Sequence, residues 1–378
     1  IAIIGGGPSG LLFARLLEVN GITDYVVYER DESAVLGPWQ QGGTLDLRPS
    51  SGQLALRRAG LFDRFSNEFA RWNASCFHVL YPNGTTAVRF DQERDAPEID
   101  RLQLRQLLLE SIPAHKIRWG HAVKAVERRA DESQEGDDNG LIISGKQLIP
   151  LLQITSAKPV YSGKMFIEGR LSQDNPSYAT AKELVGPGSM FAAGQHKKIA
   201  VQQVADGSYR AYFGLTVPES FYHHRESNGS GDDSPINRTE ELRKLLLSDA
   251  YFARWAPQLR KFVENAEGPF RAWPLYRMEP EKLHWSGKPP GVTLLGDAAH
   301  VSTPFVGEGV NCSMYDAVVL ADSIFKHCGE GAHLDVSNGE GINRARVEYE
   351  ENMLARGRDL IERSTAMEEI LFAYNAVD

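Results

Sequence analysis

The hydrophobic and polar residues follow two different patterns along the chain. Short continuous apolar runs at residues 1–4, 25–28 and 141–143 are typical of strands that are buried on both faces of a parallel sheet. Between residues 160 and 218 the period changes, and the segments there predict antiparallel strands joined by tight turns. We therefore predict an α/β fold in which a second, mostly antiparallel sheet is inserted into a nucleotide-binding fold.

Helical periodicity separates these strands. The predicted helices cover residues 9–18, 50–68, 102–112, 239–264, 311–325 and 342–372. The last of them is long and is charged on one side. A Pro-Asn-Gly turn within residues 77–90 predicts a β-hairpin, and residues 292–295 predict the final buried strand.

Composition and charge exclude several classes of protein. The 378 residues have a net charge of −9, which argues against a general nucleic-acid binder. No apolar run approaches the ~20 residues needed to span a membrane. The three cysteines, Cys76, Cys312 and Cys328, are odd in number and lack metal-ligand spacing, so we expect free thiols and no metal site. Without a visible signal peptide, we expect a cytoplasmic protein, and we expect it to be a monomer.

The start of the chain has the glycine spacing of a dinucleotide-binding turn. Gly-x-Gly-x-x-Gly follows the first apolar run directly and precedes a predicted helix. The first glycine permits a tight turn, the second lets a pyrophosphate approach the backbone, and the third lets helix and strand pack closely. The predicted phosphate-binding residues are Gly5, Gly7, Pro8, Ser9 and Gly10.

A carboxylate follows the second strand at the position expected for ribose binding. Glu29 ends residues 25–28 about 20 residues after the last glycine of the motif. Its negative charge would repel a 2′-phosphate, so the site suits FAD or NAD better than NADP. The alternative is an ordinary glycine turn followed by a surface Glu-Arg pair.

A second glycine-rich segment lies near the other end of the chain. Asp297 closely follows the predicted strand 292–295, at the carboxyl end where doubly wound folds bind ligands. A helix that starts within residues 307–311 can direct its N–H groups at the pyrimidine edge of a flavin. Together the two segments predict FAD held at both ends. The predicted contacts here are Gly296, Asp297, Pro304, Gly307, Gly309, Val310 and Asn311.

These motifs resemble those of the class A flavoprotein monooxygenases, the para-hydroxybenzoate hydroxylase superfamily. The segments Gly-Gly-Gly-Pro-Ser-Gly, Gly-Gly-Thr-Leu-Asp-Leu and Glu-Ile-Asp-Arg-x-x-Leu-Arg look most like those of tetracycline-inactivating monooxygenases. The resemblance implies a Rossmann-like FAD-binding domain and an inserted β-sheet substrate domain. It implies that Glu29 binds the adenosine ribose, Arg105 the phosphate-ribityl region and Asp297 the ribityl chain. It also places Arg30, Asp46 and Arg101 beside the cofactor, with helix-surface charge as the alternative for Arg101 and Arg105.

The predicted domains are discontinuous in sequence. The FAD-binding domain comprises residues 1–75, 98–157 and 285–340, and the substrate domain comprises residues 76–97 and 158–284. A C-terminal helix in residues 341–378 bridges the two domains.

The chain departs from the family pattern in three places. The resemblance implies an Asp-Gly segment with an arginine after strand 141–144, where Gly145 runs directly into Lys146, and this leaves NADPH use open. Glu308 replaces a glutamine of many relatives, and its charge would oppose a reduced flavin unless it is paired. Tyr212 stands where tetracycline-inactivating relatives have a substrate-contacting histidine; the alternative for Tyr212 is a core aromatic.

The resemblance implies an FAD-dependent monooxygenase that consumes NADPH and O2. The flavin would supply the oxygen chemistry, so no catalytic protein nucleophile is expected, and we expect a structural role for His300 rather than a base. The predicted substrate is a polycyclic aromatic or polyketide-like molecule, with a tetracycline as one candidate. The predicted walls of its pocket are Tyr212, Phe213, Gly214, Phe305 and Trp273. The alternatives are another FAD enzyme of this fold, a flavin protein that sequesters a planar ligand without turnover, and an NAD-dependent dehydrogenase.

Overall fold

A computed structural model of the protein describes residues 1–35, 42–91, 94–123, 125–128, 141–144, 158–221, 235–284, 291–330, 333–334 and 339–376. Its strands are β1 (Ala2–Ile4), β2 (Val26–Tyr28), β3 (Thr44–Asp46), β4 (Phe77–Leu80), β5 (Thr86–Phe90), β6 (Glu98–Asp100), β7 (Ile117–Arg118), β8 (Ala125–Arg128), β9 (Leu141–Ser144), β10 (Val160–Leu171), β11 (Ser189–Gly194), β12 (Lys197–Gln203), β13 (Tyr209–Thr216), β14 (Glu267–Arg277), β15 (Gly329–Glu330) and β16 (His333–Leu334). Its helices are α1 (Pro8–Val19), α2 (Leu54–Arg58), α3 (Phe62–Arg64), α4 (Arg101–Leu109), α5 (Tyr178–Leu184), α6 (Pro235–Leu246), α7 (Pro257–Asn265), α8 (Asp297–His300), α9 (Gly309–Cys328) and α10 (Gly339–Leu371).

A three-stranded parallel sheet forms the centre of one half of the molecule, called the first half because it contains the start of the chain. Strands β1, β2 and β7 pair in that order, and all of the pairs are parallel. Helix α1 covers the sheet because its apolar residues, among them Leu12 and Leu16, are buried against it and against α9. This strand–turn–helix–strand arrangement confirms the predicted α/β fold and places the first glycine motif at the carboxyl end of β1.

The second sheet has seven strands in the order β14-β10-β13-β12-β11-β4-β5. All neighbours are antiparallel except β4 and β11, as predicted for a mostly antiparallel sheet. One face packs against α6 and α7 through buried residues such as Ile167, Phe213 and Phe262. Since side chains alternate across a strand, the neighbours of these core residues face the other way, toward the first half of the molecule.

Helix α10 connects the two halves. It packs along α9 through buried residues such as Tyr349 and Met353. At its end, Leu371 and Phe372 join a separate cluster with Phe166 of the second sheet and Phe305. The long C-terminal helix that the sequence predicts is therefore confirmed. It packs against α9 on one side of the molecule and reaches Phe166 of the second sheet on the other.

Two predicted elements differ in the structure. Residues 50–68 form α2, α3 and two π-helical turns, Pro49–Gln53 and Phe65–Phe69, instead of one helix. Gly60 interrupts the helical path because it adopts φ +67°, the left-handed conformation that follows many helix ends. Residues 292–295 form no strand; the backbone oxygen of Leu294 instead accepts a hydrogen bond from the Tyr349 hydroxyl at 2.8 Å.

In the part of the chain that the structure describes, no helix combines the length and the apolar character required to cross a membrane. Cys76, Cys312 and Cys328 are free thiols.

Truncating Phe213 tests the core of the second sheet. Its ring is fully buried and contacts Phe252 and Phe270. We expect Phe213→Ala to lower the free energy of unfolding by about 3–5 kcal/mol, as measured by urea denaturation of the FAD-loaded protein. The matched control is Phe90→Ala on β5, where the ring is 51% exposed and the expected change is below about 1 kcal/mol. Equal effects of the two substitutions would contradict this description of the core.

Candidate active site

The first glycine motif forms an open turn before α1. Gly5 adopts φ +105°, and a Cβ on Gly10 would lie 2.2 Å from the backbone oxygen of Gly5, so both positions require glycine. Gly7 is exposed, and an added Cβ there would meet nothing within 4 Å. No side chain caps the N-terminus of α1. The backbone N–H groups of this turn are therefore accessible to an anionic group such as a pyrophosphate.

Glu29 fixes the opposite side of the same turn. Its buried carboxylate accepts hydrogen bonds from the backbone N–H of Gly6 and, at 3.0 Å, from that of Asp31. Arg105 Nη2 donates to Asp31 Oδ2 at 2.8 Å, which brings this arginine close to Glu29 and the turn. Arg105 Nη1 is buried and has no hydrogen-bond partner among the described residues, so it is available to a ligand. Arg30 is exposed.

The second glycine segment lies directly against the first. Gly296 adopts φ +63°, and a Cβ there would lie 2.5 Å from Ser9 Oγ of α1. Asp297, the first residue of α8, is exposed beside this contact. Residues that are almost 300 positions apart in sequence therefore form one continuous surface, as a single FAD that spans both motifs requires.

A buried carboxylate holds the second segment in place. Asp316 of α9 is completely buried; its Oδ2 accepts from the backbone N–H of Gly296 at 2.8 Å and bonds His300 Nε2 at 2.6 Å. Its Oδ1 accepts from Arg356 Nη1 of α10 at 2.8 Å. One side chain thus ties α8, α9 and α10 together and satisfies its own charge.

His300 belongs to this structural cluster. Burial disfavours its charged form, but the charge and hydrogen bond of Asp316, together with Cys312, raise the pKa of His300 well above its usual range. The stabilisation from the charged pair is therefore complete below about pH 6.5 and is lost as the pH rises through the raised pKa. His300, Cys312 and Asp316 offer three metal-ligand atoms, but the guanidinium of Arg356 already provides a cation at this carboxylate.

The start of α9 is joined to the segment after β3. Asn311 Oδ1 accepts from the backbone N–H of Arg48 at 2.9 Å and from that of Gly52 at 3.2 Å, while its Nδ2 donates to the backbone oxygen of Asp46 at 2.7 Å. The Asn311 side chain therefore has a structural role, and only its backbone N–H is left for a flavin. Burial raises the pKa of Asp46.

Glu308 is paired with two arginines, so its negative charge is neutralised and does not oppose a reduced flavin. Arg363 Nη2 lies 2.7 Å from Glu308 Oε2, and Arg48 Nη1 donates to Oε1. These hydrogen bonds, Arg363 first, lower the pKa of Glu308 despite partial burial. Gly309 follows at the N-terminus of α9, where no side-chain cap is present and an added Cβ would meet nothing within 4 Å.

The face of the second sheet that points away from its core is rich in aromatic residues. The ring of Phe166 lies 5.9 Å from that of Phe305 and 6.0 Å from that of Tyr212, and Phe305 lies 5.6 Å from Phe372. A Cβ on Gly214 would crowd Phe166 at 2.9 Å, so this glycine makes room for the aromatic cluster.

The prediction that Phe213 lines the substrate pocket is wrong. Phe213 points into the helix-covered core on the opposite face from Tyr212, because consecutive residues of β13 alternate between faces. We therefore remove Phe213 from the proposed substrate contacts. Trp273 does lie on the Tyr212 face, where its Nε1 donates to Glu168 Oε2 at 2.6 Å.

The remaining predicted residues surround these groups. Arg101 begins α4, and its backbone N–H donates to the backbone oxygen of Gly43 at 3.1 Å. Pro304 is exposed, and Val310 is packed against the main core. Gly307 adopts φ +67°, and a Cβ there would lie 3.3 Å from Asp46 Oδ1.

Three important side chains have no clear signal in the sequence. Asp316 and Arg356 are charged residues in otherwise ordinary helical patterns, and their only sequence signal is that Asp316 falls on the apolar face of α9. Lys198 is buried on the aromatic face of the second sheet. A lysine in a predicted strand resembles a solvent-exposed residue, so the sequence alone gave no reason to single it out.

Taken together, the described residues fit FAD. The open turn at Gly7, the buried carboxylate of Glu29 and the unpartnered Arg105 Nη1 suit the adenosine and phosphate portion. The uncapped start of α9, with its neutralised Glu308, suits the flavin ring.

Asp316→Asn tests the importance of the buried carboxylate. His300 and Arg356 would lose their counter-charge, so we expect unfolding free energy to fall by about 3–5 kcal/mol. FAD affinity should fall at least about tenfold because Gly296 loses its anionic acceptor. The matched control is Asp322→Asn on the same helix, an exposed partner of Arg58 whose loss should change stability by less than about 1 kcal/mol. Retention of FAD at wild-type affinity by Asp316→Asn would contradict this role.

Comparison with known proteins identifies an FAD-binding domain and relatives that are named monooxygenases. The FAD binding domain family matches residues 284–347. Monooxygenase penA of Penicillium thymicola is 29% identical and covers 93% of this chain and 90% of its own length. The 3-amino-4-hydroxybenzoate 2-monooxygenase PtnB3 of Streptomyces platensis is 28% identical, covering 96% of this chain and 86% of its own length.

Two solved structures share the fold at low sequence identity. Klebsiella pneumoniae HpxO, complexed with FAD and uric acid, has a TM-score of 0.68 at 22% identity and covers 98% of this chain and 88% of its own. Tetracycline destructase Tet(55) has a TM-score of 0.65 at 15% identity, with 99% and 90% covered. With the two glycine segments brought together, the fold and these relatives support the class A FAD-dependent monooxygenases as the family of this chain.

Proposed function

We propose that this monooxygenase inserts one oxygen atom from O2 into an aromatic small molecule, with NADPH as the electron donor. The balanced reaction converts substrate, O2, NADPH and a proton into hydroxylated product, NADP⁺ and water. FAD, when bound, supplies the transfer of electrons from the nicotinamide to O2. The protein's residues bind and orient the two ligands and exclude water.

The aromatic cluster beside the second glycine segment is the observation that supports this proposal most strongly. Phe305 lies between Pro304 and the start of α9, and its ring contacts Phe166 and Phe372. A planar substrate held against these rings would lie next to the segment that suits the flavin ring. Aromatic side chains favour ring-shaped ligands through offset and edge-to-face contacts.

Tyr212 provides a polar group in this apolar surface. Burial raises the pKa of Tyr212, so its hydroxyl remains protonated at neutral pH and is able to donate a hydrogen bond. The hydroxyl has no hydrogen-bond partner among the described residues. We propose that it binds an oxygen of the substrate and orients the ring.

We propose a polycyclic aromatic or polyketide-like substrate. The relatives' names mention an aminohydroxybenzoate, uric acid and tetracyclines, all of them rings with polar substituents. Tyr212 cannot supply the imidazole expected of a tetracycline-inactivating site, so a tetracycline is one member of the test panel and not the leading candidate.

A flavin protein that sequesters a ligand without turnover is the alternative. The sequence favours this alternative only through the missing Asp-Gly segment after Gly145. Residues 145–157 lie outside the described residues. The names of the relatives, which are monooxygenases, favour the catalytic proposal.

Substrate-dependent oxidation of NADPH tests the function. The FAD-loaded protein is incubated with NADPH alone and with a panel containing aminohydroxybenzoates, urate, phenolic polyketides and a tetracycline. We expect at least one compound to stimulate NADPH oxidation and to yield a product heavier by one oxygen atom. If ligands bind but none stimulates NADPH oxidation, the sequestering alternative is favoured.

Tyr212→Phe tests the proposed substrate contact. We expect kcat/KM for the substrate found in the panel to fall about tenfold, with no loss of thermal stability, because a hydrogen bond to the ligand is removed. The matched control is Tyr209→Phe on the opposite face of β13, whose hydroxyl donates to the backbone oxygen of Gly186 at 2.9 Å. That control should lower Tm and leave kcat/KM nearly unchanged. The reverse pattern would show that Tyr212 is a core residue.

A further inference from the structure

Lys198 is a buried cation on the aromatic face of the second sheet. Only 9% of the residue is exposed, and its Nζ lies 4.2 Å from the ring centroid of Phe191 and 5.6 Å from that of Phe305. No hydrogen bond or ion pair joins its ammonium group to another described residue. Its partner across the strands is Gly214, whose missing side chain leaves room for the rings of Phe166 and Phe372 beside Lys198.

The described charged residues near Lys198 have polar partners, in contrast to Lys198 itself. Lys197, the preceding residue, donates to the backbone oxygen of Tyr251 at 2.6 Å. Glu168, an acid on the same face as Lys198, is already bound by Trp273 and lies 3.6 Å from Arg210. Glu168 is therefore engaged elsewhere, and among the described residues the ammonium group of Lys198 contacts two aromatic rings.

Burying an unpaired ammonium group is unfavourable. The desolvation of the ammonium group costs more free energy than a cation–π contact returns. The same burial lowers the pKa of Lys198 to about 8, so the group is still largely charged at neutral pH. A site of this kind is completed when a bound anion supplies the missing charge.

The location links this cation to the proposed substrate. Phe305, which Lys198 faces, also contacts Phe166, and Phe166 contacts Tyr212. Lys198 and the ring of Tyr212 therefore flank one aromatic surface. A ring placed there would present one edge to the cation.

We propose that Lys198 binds an anionic oxygen of the substrate, so that the enzyme selects aromatic acids: rings with a carboxylate or an ionised hydroxyl. The assignment rests on the proposed function for the position of the substrate. It narrows the substrate class because a neutral aromatic compound would leave the ammonium group buried and unpaired.

Binding of benzoate and benzamide to the FAD-loaded protein tests this without turnover. The two probes have similar size and differ in charge, and equilibrium dialysis with labelled compounds measures both. We expect the wild type to bind benzoate at least about tenfold more tightly than benzamide. Lys198→Met should abolish the preference, and Lys198→Arg should keep it. Lys197→Met is the matched control and should also keep it.

The melting temperature of the Lys198 variants separates a ligand-binding role from a structural one. A lysine with a structural role would lower Tm when replaced, whereas Lys198→Met should melt at or above the wild-type temperature because an unpaired buried charge is removed. If Lys198→Met does not fold, Lys198→Gln serves as the second neutral variant.

Three results would overturn the proposal: no preference in the wild type, a preference that survives in Lys198→Met, or no binding of either probe. If Lys198→Met keeps the preference for benzoate and its bound FAD has an altered absorption spectrum, Lys198 contacts the cofactor instead of the substrate. Benzoate preference without NADPH oxidation by any compound would refute the proposed function alone. NADPH oxidation without the preference would refute the Lys198 assignment alone.

Discussion

The site depends on one buried carboxylate. Asp316 has no exposure to water, and such a group is tolerated only when its charge and lone pairs are satisfied. Its three partners are the Gly296 backbone and His300, both of the second glycine segment, and Arg356 of α10. Because these partners are fixed together, the second glycine segment lies against Ser9 and forms one surface with the first glycine motif.

The same helices relate the cofactor surface to the substrate surface. Helix α9 begins at the segment that suits the flavin ring, and Arg356 of α10 reaches its buried carboxylate. Helix α10 then continues to Phe372, which packs on Phe305. Contacts along these two helices therefore set the distance between the start of α9 and the aromatic cluster. In an oxygen-transferring enzyme, that distance decides whether substrate lies within reach.

Sequence patterns predicted what depends on short-range geometry. Glycine spacing identified Gly5 and Gly10 because each glycine has a local steric reason, a positive φ or a contact that leaves no room for a Cβ. Period-two alternation should also have separated Phe213 from Tyr212, but the sequence does not say which face of a strand is covered by helices.

Long-range charge pairing was the part that sequence patterns did not predict. Arg356 is 40 residues from Asp316, and nothing in either helix marks the two as partners. Lys198 was missed for the opposite reason. A lysine in a strand is usually exposed, and only the packing of Phe191 and Phe305 around it shows that it is buried.

The measurement that tests the account most directly is a crystal structure of the protein with bound FAD, together with the FAD content per chain. The account predicts one FAD per chain, with its pyrophosphate at the N-terminus of α1 and its flavin ring beside residues 304–311. A dinucleotide that contacts α1 alone and leaves the second glycine segment untouched would contradict it.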